Sequence, residues 1–394
     1  MPAAPPTFRR RAVAVAAATG AVLGAGLLAG PGAEATGSVA NSASPQAVSG
    51  SYLVLFEEGE RPDVAAEYGV RVVESYGSAL NGVLIQAGRG QARRLAADPA
   101  VRLVEQNTTL RRGAPSRPRT QPGVSCGLDR IDQRELPLDG TYRYPPSAGA
   151  GVDVYIVDTG IDYGHPDLAP RATPGFDAFG GDGGDGHGNG TLMAGIVGGT
   201  EYGVAKKSQL ISVKVLDAQG GGTLAGVVGG IDWITEHASG PSVANFVIGA
   251  PVSDVLDEAI RASIKSGVTY AVSAGASSDD VDNSSPAHVR EAITVGSSDC
   301  ADNVASFSNY GQGLDLYAPG VEITSDWPGG TTNSDSGTSV SAAHVAGAAA
   351  VYLNRHPGAG PDEVAAALDG AAVTGALSAV PAGGSPNKLL QLVR

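Results

Sequence analysis

From residue 124 onward, short continuous apolar runs alternate with stretches of helical period, and this alternation constrains the chain more than any other feature. The runs at 152–157, 210–215, 243–248, 269–274 and 292–295 are predominantly apolar, with adjacent apolar positions and only isolated polar residues such as Asp153, Lys214 and Asn245. The stretches at 190–197, 224–237 and 254–265 lie between them. A strand that is apolar throughout has both faces buried. Such strands separated by helices predict a parallel sheet covered on both sides.

Ahead of this unit the sequence divides into shorter pieces. Residues 1–35 read as a signal peptide. Arg9, Arg10 and Arg11 precede an apolar run from about residue 12 to 29, and Ala33-Glu34-Ala35 offers small residues to a signal peptidase. An uncleaved anchor and twin-arginine export are the alternatives. No second run of that length follows, so the mature protein is expected to be secreted and free of the membrane. Residues 36–50 are Gly-, Ser-, Ala- and Pro-rich without periodicity and read as a disordered linker. Residues 51–110 read as a small α+β unit, with strands at 51–56, 81–87 and 101–105 and a helix at 91–97 stopped near Asp98-Pro99. Residues 111–123 are basic and carry three prolines, as an exposed connector would. The large unit is 124–394.

The net charge of −14 argues against a nucleic-acid partner, which needs clustered cations. Two cysteines, Cys126 and Cys300, fit either one disulfide in an exported protein or two buried thiols.

In a parallel sheet, sites form at the carboxyl ends of strands. Asp158 ends the first strand of the large unit and is followed by Thr159-Gly160. A carboxylate held there can orient an imidazole, or it can simply begin a turn. Ser-Gly-Thr-Ser-Val-Ser-Ala-Ala-His-Val-Ala-Gly at 336–347 is a glycine turn leading into a helix of small residues. Ser339 then lies near a helix N-terminus, where N–H groups and the dipole favour a developing oxyanion. Its alternative is a helix cap.

Four motifs carry a resemblance: Tyr-Ile-Val-Asp-Thr-Gly at 155–160, Tyr-Gly-Val-Ala-Lys-Lys at 202–207, Ser-Phe-Ser-Asn-Tyr-Gly at 306–311 and Ser-Gly-Thr-Ser at 336–339. Over about 127–353 the chain resembles the subtilases, particularly their proteinase K-like branch. Residues 51–110 are similar to the family's propeptide, an intramolecular chaperone and inhibitor. The resemblance implies an α/β three-layer sandwich with a mostly parallel, subtilisin-like sheet, preceded by a small α+β propeptide domain. It implies a serine endopeptidase with Asp158 and Ser339 in the triad.

The departures are specific. The family motif Gly-His-Gly-Thr-His-Val-Ala-Gly is Gly-Asn-Gly-Thr-Leu-Met-Ala-Gly at 188–195, so Asn189 stands at the histidine position. An amide has no basic nitrogen to take the serine proton. Losing this histidine costs on the order of 10⁶-fold in turnover in subtilisin. The oxyanion asparagine is replaced by Ala276, and a lost donor there costs about 10²–10³. The substrate-lining Ser-Leu-Gly-Gly run has become Val-Ile-Gly-Ala at 247–250, which leaves Gly249 and Ala250 as the substrate-binding positions. Pro251 follows and has no N–H to offer. Ala343 replaces a proline before His344.

Other histidines offer little. His187 lies two residues before Asn189 and serves as base only if the motif is read with a gap. His344, five residues after Ser339 on one helix, is turned roughly 140° away at about 100° per residue and reads as structural. His165 reads as part of a surface turn. Asp315 matches a calcium-ligand carboxylate of proteinase K-like members; no cofactor is required, and calcium is allowed. Residues 175–185, with Asp177, Asp182 and Asp185 among glycines, read as a flexible solvated loop.

The expected function is that of an impaired or inactive subtilase acting outside the cell in binding or regulation. Its expected partners are its own propeptide on the cleft and an extracellular protein or peptide. The alternative is an active secreted endopeptidase using His187 or a substrate histidine as base.

Overall fold

The computed structural model describes residues 36–44, 47–57, 59, 63, 67–77, 80–108 and 118–393. The signal-peptide reading lies outside them. The chain divides into two compact units, 1–114 and 115–394, with the boundary inside the expected connector.

The first unit is a four-stranded antiparallel sheet with one helix. Strands β1 (Ala47–Phe56), β2 (Arg71–Tyr76), β3 (Gly82–Gln86) and β4 (Val101–Thr108) run in the order β2-β3-β1-β4. Alternate residues Tyr52, Val54 and Phe56 of β1 face Leu95 of helix α1 (Arg89–Leu95) in one core, as period-two patterning requires. Strand β2 escaped the sequence reading because its first five positions are all exposed, so it carries no alternation.

The linker reading needs correction where residues 36–50 are described. Ala40 pairs with β4 through Ala40 N–H to Val104 O and Gln106 N–H to Ala40 O, both 2.9 Å. Ala47 to Gly50 already belong to β1. Backbone pairing of small residues leaves no hydropathy signal.

The second unit is a three-layer α/β sandwich. Its short entry pair is β5 (Arg119–Pro122) with β6 (Thr141–Tyr144), so the end of the expected connector is a strand of this unit. The central sheet comprises β7 (Asp153–Asp158), β8 (Ala172–Asp177), β9 (Gln209–Lys214), β10 (Ser242–Phe246), β12 (Thr269–Ser273), β14 (Ile293–Ser298), β15 (Leu316–Pro319), β18 (Val373–Thr374) and β19 (Lys388–Leu389). Their order is β18-β19-β15-β14-β12-β10-β7-β9-β8. All neighbours are parallel except β18 and β19.

The strands sort their residues between two cores. Val154 and Ile156 of β7 face α3 (Asn189–Gly198) and α6 (Thr338–Arg355). Tyr155 and Val157 face α4 (Leu224–His237) and α5 (Asp254–Lys265). Helices α4 and α5 begin where expected because each has a hydroxyl cap. Thr223 Oγ1 accepts from Gly226 N–H, and Ser253 Oγ from Leu256 N–H. Two further helices, α2 (Cys126–Asp132) and α7 (Pro361–Ala371), pack beside α6 in the first core. Cys126 is disulfide-bonded to Cys300, which deletes the two-thiol alternative.

Strand β8 corrects part of the 175–185 loop, since Phe176 and Asp177 pair with β9 beyond an irregularity at Gly175. Pro174 and Gly175 hide it in the sequence, and Pro174 is tolerated because β8 is an edge strand. At the other end of β10 the chain leaves the sheet after Phe246. Ala250 and Pro251 form β11, paired with β13 (Ser284–Ser285), and β16 (Ile323–Trp327) pairs with β17 (Thr331–Asp335) in a separate two-stranded sheet.

Candidate active site

Asp158 is the last residue of β7 and is fully buried. Its Oδ1 accepts the Thr159 N–H at 2.7 Å, and its Oδ2 accepts Asn189 Nδ2–H at 2.7 Å. Asn189 is the first residue of α3. The helix start is pressed against the strand end by glycines. Gly188 has φ 117°, a left-handed conformation that favours glycine, and a Cβ there would meet the Trp327 ring. A Cβ at Gly190 would meet Gly160 O at 2.0 Å.

Burial pushes the Asp158 carboxyl up to about 7, with Asp185 adding to the rise; the Thr159 N–H and the Asn189 amide oppose it. The amide gives the carboxylate a hydrogen bond without a compensating charge. An imidazole at the same position would supply both.

Asp185 is the clamp of this corner, a role the sequence reading missed. Its Oδ1 accepts the N–H groups of His187 and Gly188 and the Thr159 hydroxyl, and its Oδ2 accepts the Thr191 N–H and hydroxyl, all within 2.6–2.9 Å. Burial alone would raise this carboxyl, but those donors hold it below its ordinary value. Asp177 likewise accepts from Phe179 and Gly183 N–H. The stretch read as a solvated loop is therefore a set of Asp-centred turns, because carboxylates fill the donors that glycine-rich backbone leaves open.

His187 is exposed and forms no hydrogen bond with the Asp158 carboxylate. Its Nδ1 lies 3.4 Å from Asn189 N, and its ring points toward the Gly220 turn. Among the described residues it hydrogen-bonds neither Asp158 nor Ser339. His344 is buried, with Nδ1 donating to Val340 O at 3.0 Å, and burial lowers it to about 4. His165 is buried too, which corrects the surface-turn reading. Nε2–H donates to Thr331 O, and Nδ1 accepts the Asp167 N–H.

Ser339 is the second residue of α6, a helix whose small side chains let it pack flush beneath the sheet. Its turn is tied to the end of β12, since Gly275 N–H donates to Thr338 Oγ1 at 3.1 Å. Ala276 follows. A second missed residue, Asn309, shapes this end. Its Nδ2 donates to Ala274 O, and its Oδ1 accepts the N–H groups of Ser277 and Asp279. Asn309 lies in the 306–311 motif, which was the available signal. Ser339, Ala276, Gly249 and Ala250 all line one cavity of about 640 Å³; Asp158 and Asn189 do not line it.

Asp315 is nearly buried, and its Oδ2 accepts the Thr294 N–H at 2.7 Å, pinning the start of β14. Burial raises it to about 6. Calcium takes six to eight oxygens, and no group of three His, Cys, Asp or Glu able to hold a metal occurs among the described residues. No step is assigned to an ion there.

Residues 149–387 match the profile of the subtilase family. The chain belongs to that family. An extracellular serine proteinase of Thermus sp. (strain Rt41A) is 42% identical over 82% of this chain and 85% of its own. A cuticle-degrading serine protease of Arthrobotrys oligospora is 34% identical over 89% of this chain and 92% of its own. A crystal structure of a cold-adapted subtilisin-like serine proteinase superposes with TM-score 0.67 at 42% identity, covering 69% of this chain and 99% of that one. In this subtilase, then, the buried Asp158 carboxylate accepts its second hydrogen bond from the Asn189 amide.

Proposed function

We propose that this chain is a secreted subtilase whose cleft binds peptide outside the cell and turns it over poorly or not at all. The observation that supports the reading is the 2.7 Å bond from Asn189 Nδ2 to Asp158, made by a group without a basic nitrogen at the motif position that the resemblance gives to the family's base. Ala276 adds to it, because a methyl group donates nothing to an oxyanion. What remains is a binding surface: a cavity, a serine at a helix N-terminus, and unfilled N–H groups of the first helical turn. The 51–110 unit would be the cleft's own partner, with an extracellular protein or peptide as its external ligand.

The relatives are named as proteinases, and that favours a second reading, an active endopeptidase with His187 or a substrate histidine as base. Turnover of casein and short peptide esters separates the two. The expected result is turnover no higher than that of Ser339→Ala. Asn189→His with Ala276→Asn should raise it by at least ~10²-fold, because an imidazole Nδ1–H takes over the bond to Asp158 and a donor returns to the oxyanion. Turnover like that of an active relative, abolished by Ser339→Ala, would sink the first reading. If His187→Ala then abolished it as well, His187 would be the base.

A further inference from the structure

The cavity at Ser339 carries charge of one sign. Asp279 and Asp280 line it, and no Lys, Arg or His does. Each carboxylate spends one oxygen on its own turn. Asp279 Oδ1 accepts the Asp280 N–H at 2.7 Å and Asn283 Nδ2–H at 3.0 Å, and Asp280 Oδ1 accepts the Asp282 N–H at 3.0 Å. The second oxygen of each has no hydrogen-bond partner among the described residues. Arg290, the cation on this side, is paired with Asp282 at 2.7 Å, and among the described residues neither Asp279 nor Asp280 belongs to an ion pair.

The two carboxylates are also held in place. Asn309 Oδ1 accepts the Ser277 and Asp279 N–H groups, and Gly275 has φ 99° with its missing Cβ's space filled by Asn309 Nδ2. The remaining wall is made of small side chains, among them Ala250, Ala276, Ser284 and Ala287. A volume of about 640 Å³ accommodates a long side chain, whose methylenes would lie on the alanines. Two unpaired carboxylates on a rigid turn then meet its head, and such bonds are stronger than neutral ones.

We propose that this cavity takes the side chain of Lys or Arg from a peptide laid across Ser339, with Asp279 and Asp280 as the specificity-determining residues. The inference rests on the reading that the cleft binds peptide. Fluorescein-labelled tetrapeptide amides differing in one side chain (Arg, Lys, citrulline, norleucine or Glu) test it by fluorescence anisotropy. The secreted protein is used both intact and after nicking at 111–117 with trypsin. Arg and Lys peptides should bind at least ~10-fold more tightly than the citrulline and norleucine peptides. High salt should weaken that preference. Asp279→Asn with Asp280→Asn should bring the ratio to within about 2-fold, with a thermal melt matching that of the unsubstituted protein to show that the variant is folded. Equal binding across the series overturns the inference and leaves the peptide-binding cleft standing. No binding by any peptide to either form overturns both. Turnover that ranks Arg and Lys first supports the inference and overturns the inactive reading.

Discussion

A carboxyl group buried beside another carboxyl group stays there most easily by sharing a proton. Asp326 is fully buried, and a Cβ built on Gly199 would sit 2.4 Å from Asp167 Oδ2 and 3.1 Å from Asp326 Oδ2, so the two side chains share one space. Counted as carboxylates, Asp167 Oδ2 and both oxygens of Asp326 lack a donor; a proton held between them supplies one. His165 Nδ1 is 3.7 Å from Asp326, but it already accepts the Asp167 N–H and so offers Asp326 no donor. Burial and then the Asp167 charge raise the Asp326 carboxyl, Glu201 adds to the rise, and Arg171 opposes it. In the unfolded chain it titrates near 4. The folded state therefore holds a proton that the unfolded state gives up above pH about 4, and the stability so gained is lost as pH rises through the folded value. Asp326→Asn keeps a donor for Asp167 and removes the titration. Thermal melts from pH 5 to 9 should show it flattening the fall in Tm and gaining about 1–3 kcal/mol at the alkaline end. Parallel Tm curves for the two proteins would contradict the shared proton.

At the level of elements, α6 carries the site because it can be buried on nearly every side. Gly347 marks the closest approach: a Cβ there would lie 2.6 Å from Val204 Cβ and 3.1 Å from Val197 O. Gly347→Ala is expected to cost about 1–3 kcal/mol, as overpacking does. Gly358→Ala, with nothing within 4 Å of its added methyl, should stay within about 0.5 kcal/mol. Chemical denaturation of both variants checks the contrast. The same packing explains which elements were legible. Helices Leu224–His237 and Asp254–Lys265 have capping hydroxyls and one apolar face, so their limits could be read directly. The central strands are largely buried on both faces and read as predominantly apolar runs. Strands β2 and β8 were illegible, the first exposed throughout most of its length and the second interrupted by Pro174 and Gly175. In the site, Asn189 and Ala276 stood out because the motifs around them keep their frame. Asp185 and Asn309 did not, because their work is to accept or donate backbone hydrogen bonds, which leaves no periodicity and no composition bias.

For the whole molecule, the decisive property is whether the chain can cut itself. The units 1–114 and 115–394 are joined through the basic connector, and the Cys126–Cys300 disulfide lies wholly within the second, so no covalent bond other than the backbone links them. Subtilases release their propeptide by self-cleavage, and that reaction needs a base and an oxyanion donor. On the proposed reading, with Asn189 and Ala276 at those positions, protein secreted from a host lacking extracellular proteases should remain one chain through residues 111–123. Intact-mass spectrometry should find a single species retaining the 51–110 unit, and the Ser339→Ala variant should give the same mass after allowing for its missing oxygen. The Asn189→His, Ala276→Asn variant should instead appear as two fragments, with a second N-terminus near Val124. A wild-type chain already cut there, with Ser339→Ala left whole, would mean that some other group takes the serine proton. The chain carrying His187→Ala would then test one candidate: a cut that persists rules His187 out, since no histidine precedes His165 to act from the cleaved segment, and a cut that disappears assigns the base to His187.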